Sequence, residues 1–312
     1  MIELTGINWE WTWGGAGAAA ALLLAALYLH GRRTITAGNR QDLLFAGGWL
    51  LLLVIFLPPL FPLGEQLFTV HMMQRLLTVA LIPFLLLRSD PWPVLQAGAP
   101  AVVRRAWRHL FPPRSPLRRL AGRLTGPQPV LLLFICNYFL WYDHQLHQWS
   151  INHAWLHQLE LLLCLATALL YWWHILQVAP YRQKTFPPVM RVIYAAVGAI
   201  PIKAAALVLL FTDTIVYEYP GAIIFSGLQL NDQSSGAILV WSLGGVVYTW
   251  TAILLMRDWL AQEAAKPALP ESEWATKEAM AMPGFPAESA RPRQTPKPAA
   301  EQSRTGSRPP WR

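Results

Sequence analysis

Seven apolar runs, near 15–30, 43–57, 69–87, 129–142, 154–176, 190–212 and 236–256, leave this sequence few ways to fold. A bilayer core is crossed by roughly 20 apolar helical residues, and irregular backbone cannot face lipid there. Long runs almost free of charge therefore predict helices in a membrane. Composition agrees: 13% of the residues are charged and 54% hydrophobic, where a soluble domain is about a quarter charged. The expected fold is an all-α membrane protein, a bundle of about seven transmembrane helices within residues 1–262.

The connecting segments predict the orientation. Arg32, Arg33 and Arg40 follow the first run, and eight arginines from Arg88 to Arg123 follow the third. Arg182, Lys184 and Arg191 follow the fifth, and Arg257 with a basic tail follows the seventh. The alternate segments 58–68, 143–153 and 213–235 contain no Lys or Arg. The positive-inside rule then sets the N-terminus outside and the C-terminus in the cytoplasm. The same loops account for a net charge of +8, so no nucleic-acid partner is expected. The Arg-rich stretch at about 88–128 has two readings: a solvated cytoplasmic loop, or, at AVVRRAWRHLF, a basic amphipathic helix lying on anionic membrane lipid. Residues 263–312 hold nine prolines and little periodicity, which predicts a disordered cytoplasmic tail.

Several classes fall away. Residues 1–14 carry Glu3 and Glu10 and no Lys or Arg, unlike the start of a secretory signal. Cys136 and Cys164 both lie inside apolar runs and set no disulfide framework. No phosphate-binding loop, dinucleotide turn or Ser/His/Asp arrangement is present, and no catalytic residue is predicted.

The informative residues are polar ones at membrane depth, which are costly there and mark sites or pairs. His153, His157, Glu160 and Cys164 follow helical spacing on one face of the fifth run. Two readings stand for the histidines: polar caps on a membrane helix, or two ligands to a metal. In the third run His71 and Arg75 share a face, with Gln74 beside them. Arg75 must either snorkel outward or meet a carboxylate; Glu160 lies at matching depth, and Lys203 competes for Glu160. Met72 and Met73 adjoin His71, and a His/Met set suits Cu(I) better than Mg²⁺ or Ca²⁺. His144 and His147 have two readings, solvated loop histidines or groups that help gather metal, the first preferred; His30 and His174 read as interfacial groups at cytoplasmic helix ends. Asp232 opens the seventh run, either within a mixed site or orienting an imidazole, and Gly236, Gly244 and Gly245 permit close helix approach.

Three motifs carry a likeness: His71-Met72-x-Gln74, His153-x-x-x-His157, and Asp232-Gln233-x-x-Gly236 with Trp241. In order, spacing and topology the chain from about 40 to 260 resembles the multi-pass CtaG family of cytochrome c oxidase assembly factors. One position departs, since the family commonly has His where Arg75 stands. The resemblance implies a non-enzymatic assembly factor of the bacterial plasma membrane, with oxidase subunits or other assembly factors as partners. It also implies copper handling on the outer face. With the residues above, the expected ligands are His71, His153, His157 and Met72, with Asp232, Gln74 and an Arg75–Glu160 pair around them. The alternative is an electron carrier holding two b-type haems, between His71 and His157 outside and His174 and His30 inside. A proton-coupled transporter using Glu160 and Lys203 lacks the expected broken helices and repeats.

Overall fold

The computed structural model describes residues 2–9, 12–36, 38–110, 112, 115–179, 186–225 and 230–265. The chain divides into two units, Met1–Ala261 and Gln262–Arg312. Nearly all of the second, and so of the expected disordered tail, lies outside the described residues.

A strand β1 (Ile2–Thr5) precedes α1 (Gly15–Arg32), α2 (Asn39–Val54) and the short α3 (Leu60–Gln66). A long helix follows in three parts: α4 (Phe68–Leu76), a π-helical turn (Leu77–Leu81) and α5 (Ile82–Arg88). Three short helices occupy the Arg-rich stretch, α6 (Trp92–Gly98), α7 (Ala101–Leu110) and α8 (Pro116–Leu124). Then come α9 (Pro127–Leu140), α10 (His144–Asn152), α11 (Ala154–Leu176), α12 (Pro188–Leu210), strand β2 (Ala222–Phe225) and α13 (Asp232–Ala264).

Each of the seven apolar runs falls on a helix. Among the described residues four helices, Phe68–Arg88, Ala154–Leu176, Val189–Leu210 and Asp232–Ala264, are long and apolar enough to cross a membrane. α9 is apolar but shorter, at 14 residues. Among the described residues one antiparallel ribbon accompanies the helices, pairing Ile2 with Phe225 and Thr5 with Ala222.

The third run is not one uniform helix. Pro83 has no N–H for the carbonyl of Val79, four residues earlier, and the ladder widens into the π turn just before it. Trp172 of α11 donates its indole N–H to the Val79 carbonyl at 2.8 Å, so the disturbed ladder becomes a joint between the two central helices.

α11 contributes to two buried cores. Cys164, Ala168, Tyr171 and Trp172 pack with Phe134, Ile202 and Tyr248, while Leu161 and Leu165 pack with Tyr28, Phe45, Phe56 and Phe61. The buried share is 61% for the Phe68–Arg88 helix and 56% for α11, against 44% for α12 and 28% for α13, so the first two form the centre.

The segments without Lys or Arg meet at one end of this unit. Gln66 of α3 bonds the backbone of Asn8, its carbonyl accepts from Gly221, and Gln148 of α10 donates to the Glu218 carbonyl. At the other end Tyr194 donates to the Pro127 carbonyl, Arg191 to the Ile175 carbonyl, and His174 faces the Thr125 carbonyl at 3.0 Å.

Candidate metal centre

Inside the end free of basic loops lies a buried polar cluster, and its parts come from four helices. α4 supplies His71 and Arg75 one turn apart, and α11 supplies His157 and Glu160. α10 supplies His147 and Ser150, and α3 presents the Gly64 carbonyl and Glu65. His71, Arg75, His147, Ser150, His157 and Glu160 are all at most 1% exposed.

Glu160 is the hub. Its Oε1 accepts from Arg75 Nε at 2.8 Å and also from Arg75 Nη2, while Oε2 accepts from Ser150 Oγ at 2.5 Å. Arg75 Nη2 further donates to the Trp141 carbonyl at 3.1 Å, and the guanidinium carbon lies 4.7 Å from the centre of the Tyr142 ring. Two opposite charges so enclosed replace lost hydration with Coulomb attraction and short hydrogen bonds. Lys203 is not part of this: its ammonium donates to the Trp241 carbonyl and lies 4.7 Å from that residue's ring, between α12 and α13.

His71 sits between two acceptors, the Gly64 carbonyl at 3.1 Å from Nδ1 and Glu160 Oε1 at 3.0 Å from Nε2. A neutral imidazole has one N–H and can serve only one of them. Both are satisfied by an imidazolium, or by a ring that gives Nδ1–H to the carbonyl and offers Nε2 to a cation shared with Glu160. The second is the usual bonding of a metal-ligating histidine.

His147 is a correction to the sequence reading, which placed it in a solvated loop. Asp143 accepts from Leu146 N at 3.0 Å and caps α10, turning His147, Ser150 and Ile151 inward on one face. That spacing and the cap are legible in the sequence. Burial, reinforced by His71 and Arg75, holds His147 well below the usual imidazole range, so it is neutral at pH 7. Burial, then Glu160, pushes the Tyr219 phenol up, so it keeps its proton and donates to His147 Nε2 at 2.8 Å. His147 Nδ1–H then faces the Trp141 carbonyl at 3.1 Å.

The His71 ring stacks on His157 at 4.7 Å and lies 4.8 Å from His147, and Phe61 covers the other face of His157 at 4.9 Å. Neither ring nitrogen of His157 has a hydrogen-bond partner. His71, His147 and Glu160 each offer a donor atom, all within 4.8 Å of one another, a spacing that one metal ion can bridge.

Other expected site residues lie elsewhere. His153 is exposed; it is the N-cap of α11 with extended backbone (φ −135°, ψ 101°), outside the helical face that carries His157. Its Nδ1 faces the Trp149 carbonyl at 3.0 Å. Met72 is buried with its sulfur taking the Tyr142 hydroxyl at 3.6 Å. Asp232 is not beside the histidines: it accepts from Phe68 N at 2.7 Å and Thr69 N at 3.2 Å, capping α4 from another helix. Gln74 donates to the Leu60 carbonyl at 2.7 Å and holds the start of α3. A Cβ on Gly64 would sit 2.0 Å from the Gln74 amide oxygen, which keeps α3 close enough to place its carbonyl on His71. Gly236 lets α13 reach α4, since a Cβ there would lie 2.6 Å from the Phe68 ring. Gly244 faces Leu76 and Gly245 faces Lys203.

The two-haem alternative meets the same geometry. His71 and His157 stack with planes 17° apart, whereas paired axial ligands point their nitrogens at each other across an iron. His30 is exposed and His174 faces the Thr125 carbonyl.

A sequence model described as cytochrome c oxidase caa3 assembly factor matches residues 21–262. The chain belongs to that family. It is therefore a member of a family of oxidase assembly factors, and every cluster residue lies within the matched segment. No curated protein and no solved structure matches the chain. The matched segment begins within α1, ends in the last turn of α13, and leaves out β1.

Proposed function

We propose that this protein assists assembly of a haem-copper cytochrome c oxidase by handling copper in the histidine cluster, at the extracytoplasmic end of a seven-span bundle. The observation that carries the reading is the meeting of three buried imidazoles and a carboxylate beneath the segments that lack Lys and Arg, with both nitrogens of His157 unpartnered. The donor set fits copper. Arg75 already neutralises Glu160, which leaves a set dominated by imidazole nitrogen, suited to Cu(I) more than to Mg²⁺ or Ca²⁺. His71 and His157 would hold the ion, with His147 joining them where copper displaces the Tyr219 hydroxyl from its Nε2, and copper would be the cargo for the oxidase. Oxidase subunits and other assembly factors would be the partners, in the bacterial plasma membrane.

The topology proposed is N-terminus outside and C-terminus inside. Its support is the parity of the basic loops, together with the contacts that join β1, α3, α10 and the 213–225 segment at one end. Segments on one side of a membrane are separated by an even number of crossings. In intact cells, and in a background without Cys136, a cysteine at 144 is expected to react with an impermeant thiol reagent while one at 119 is spared. Labelling at 119 reverses the orientation.

The functional test is copper content of the purified protein together with oxidase assembly in cells. His71→Ala and His157→Ala are expected to lose most bound copper and leave the oxidase poorly assembled, while the exposed His153→Ala retains both. Unchanged copper and oxidase in the His71/His157 double variant would sink the reading.

A further inference from the structure

We infer that Glu65 and His157 form the outer seat of the cluster, where an incoming copper ion first binds, ahead of the inner carboxylate–imidazole pair of Glu160 and His71. The inference rests on the reading of the cluster as a copper site and names the pair that takes the ion.

The cluster contains two carboxylate–imidazole pairs, and their geometry differs. The inner pair, Glu160 Oε1 and His71 Nε2, lies at 3.0 Å, within the range a proton closes as a hydrogen bond. In the outer pair, Glu65 Oε1 and His157 Nδ1 lie 3.5 Å apart, beyond a good hydrogen bond. Donor atoms about 2.0–2.1 Å from one tetrahedral ion are themselves separated by about 3.4 Å. The outer pair therefore has the bite of an ion rather than of a proton.

Satisfaction divides the pairs in the same way. Glu160 is surrounded by Arg75, Ser150 and His71. Glu65 Oε1 and both nitrogens of His157 are buried and have no hydrogen-bond partner. Unpaired buried polar atoms are costly, and here they fall on the two residues of one pair, whose facing atoms lie 3.5 Å apart. Phe61 and His71 hold the His157 ring flat between them, so it does not turn to find another partner.

Charge points the same way. Arg75 cancels Glu160, and among the described residues no Lys or Arg forms an ion pair with Glu65. The uncancelled negative charge of the cluster is thus at Glu65, not at its centre. Glu65 is also the route outward: its side chain is 18% exposed, against 0% for His157 and Glu160. An ion captured there lies against a histidine stacked on His71, one ring from the inner pair.

The test is titration of the full-length detergent-purified protein with Cu(I) against a competing chelator. Glu65→Gln, which removes the charge and keeps the shape, is expected to weaken Cu(I) binding by about tenfold or more. His157→Gln is expected to do the same, and Glu65→Asp to retain part of the affinity. Monodispersity by size exclusion checks that each variant is folded. If the wild type binds Cu(I) and Glu65→Gln binds it equally well, the outer seat is overturned while the copper reading stands. If the wild type binds no Cu(I), both fall.

Discussion

Arg75 and Lys203 both sit within apolar helices of this protein, and their surroundings solve the same electrostatic problem in different ways. Arg75 is 1% exposed and is gripped by Glu160, the Trp141 carbonyl and the Tyr142 ring. Lys203, at the α12–α13 contact, is only partly buried and takes one carbonyl and the face of Trp241. Full enclosure demands a formal counter-charge, because an unpaired guanidinium in hydrocarbon costs several kcal/mol or more. Partial exposure lets a long ammonium side chain reach polar surroundings, so a carbonyl dipole and a ring quadrupole suffice. The first arrangement fixes two central helices to one another; the second decorates a peripheral seam.

That contrast breaks most readily at Arg75 and Glu160. Either single change to Ala strands the partner's charge in the core and is expected to cost about 3–5 kcal/mol, seen as lost folded yield and a lower thermal midpoint in detergent. The double variant should be milder than the sum of the singles. Strict additivity would mean that the two residues do not depend on each other.

Asp232→Ala comes next. It removes the carboxylate that receives the first N–H groups of α4 from across the bundle, an effect of about 1–2 kcal/mol. A thermal midpoint unchanged by this substitution would show that the cap is dispensable. Lys203→Met should change stability least, by under about 1 kcal/mol, because only one carbonyl bond and a ring contact are lost. A loss as large as that of Arg75→Ala would erase the distinction between the two regions.

Much of this was legible in the chain. The apolar runs marked helices, among them the four that are long and apolar enough to cross a membrane among the described residues, since hydropathy and helix length report directly on what a bilayer admits. The spacing of His71 with Arg75, and of His157 with Glu160, put each pair on one helix face, and matching depth made Glu160 the expected partner of Arg75. The reading of His153 went astray because helical spacing was extended one residue past the point where the helix begins. His147 was missed because a polar nine-residue helix between two spans resembles a loop in composition, although Asp143 and the inward spacing were visible. Glu65 left almost no signal: an acid in a short segment tells nothing of which ring it faces.

The sequence by itself determined that the chain is built from apolar helices, which loops carry positive charge, and which residues are too polar to sit in lipid unaccompanied. These follow from transfer free energies, which depend on each residue and its near neighbours along the chain. Matching depth pointed from Arg75 to Glu160 with Lys203 competing, and the tertiary structure decided between them across 85 positions; it alone joined Asp232 to the start of α4 across 164 and His147 to Tyr219 across 72. Periodicity fixes the face a side chain occupies on its own helix. The element lying opposite that face is set by packing, helix ends and backbone breaks such as the π turn at Pro83, which act on the bundle as a whole.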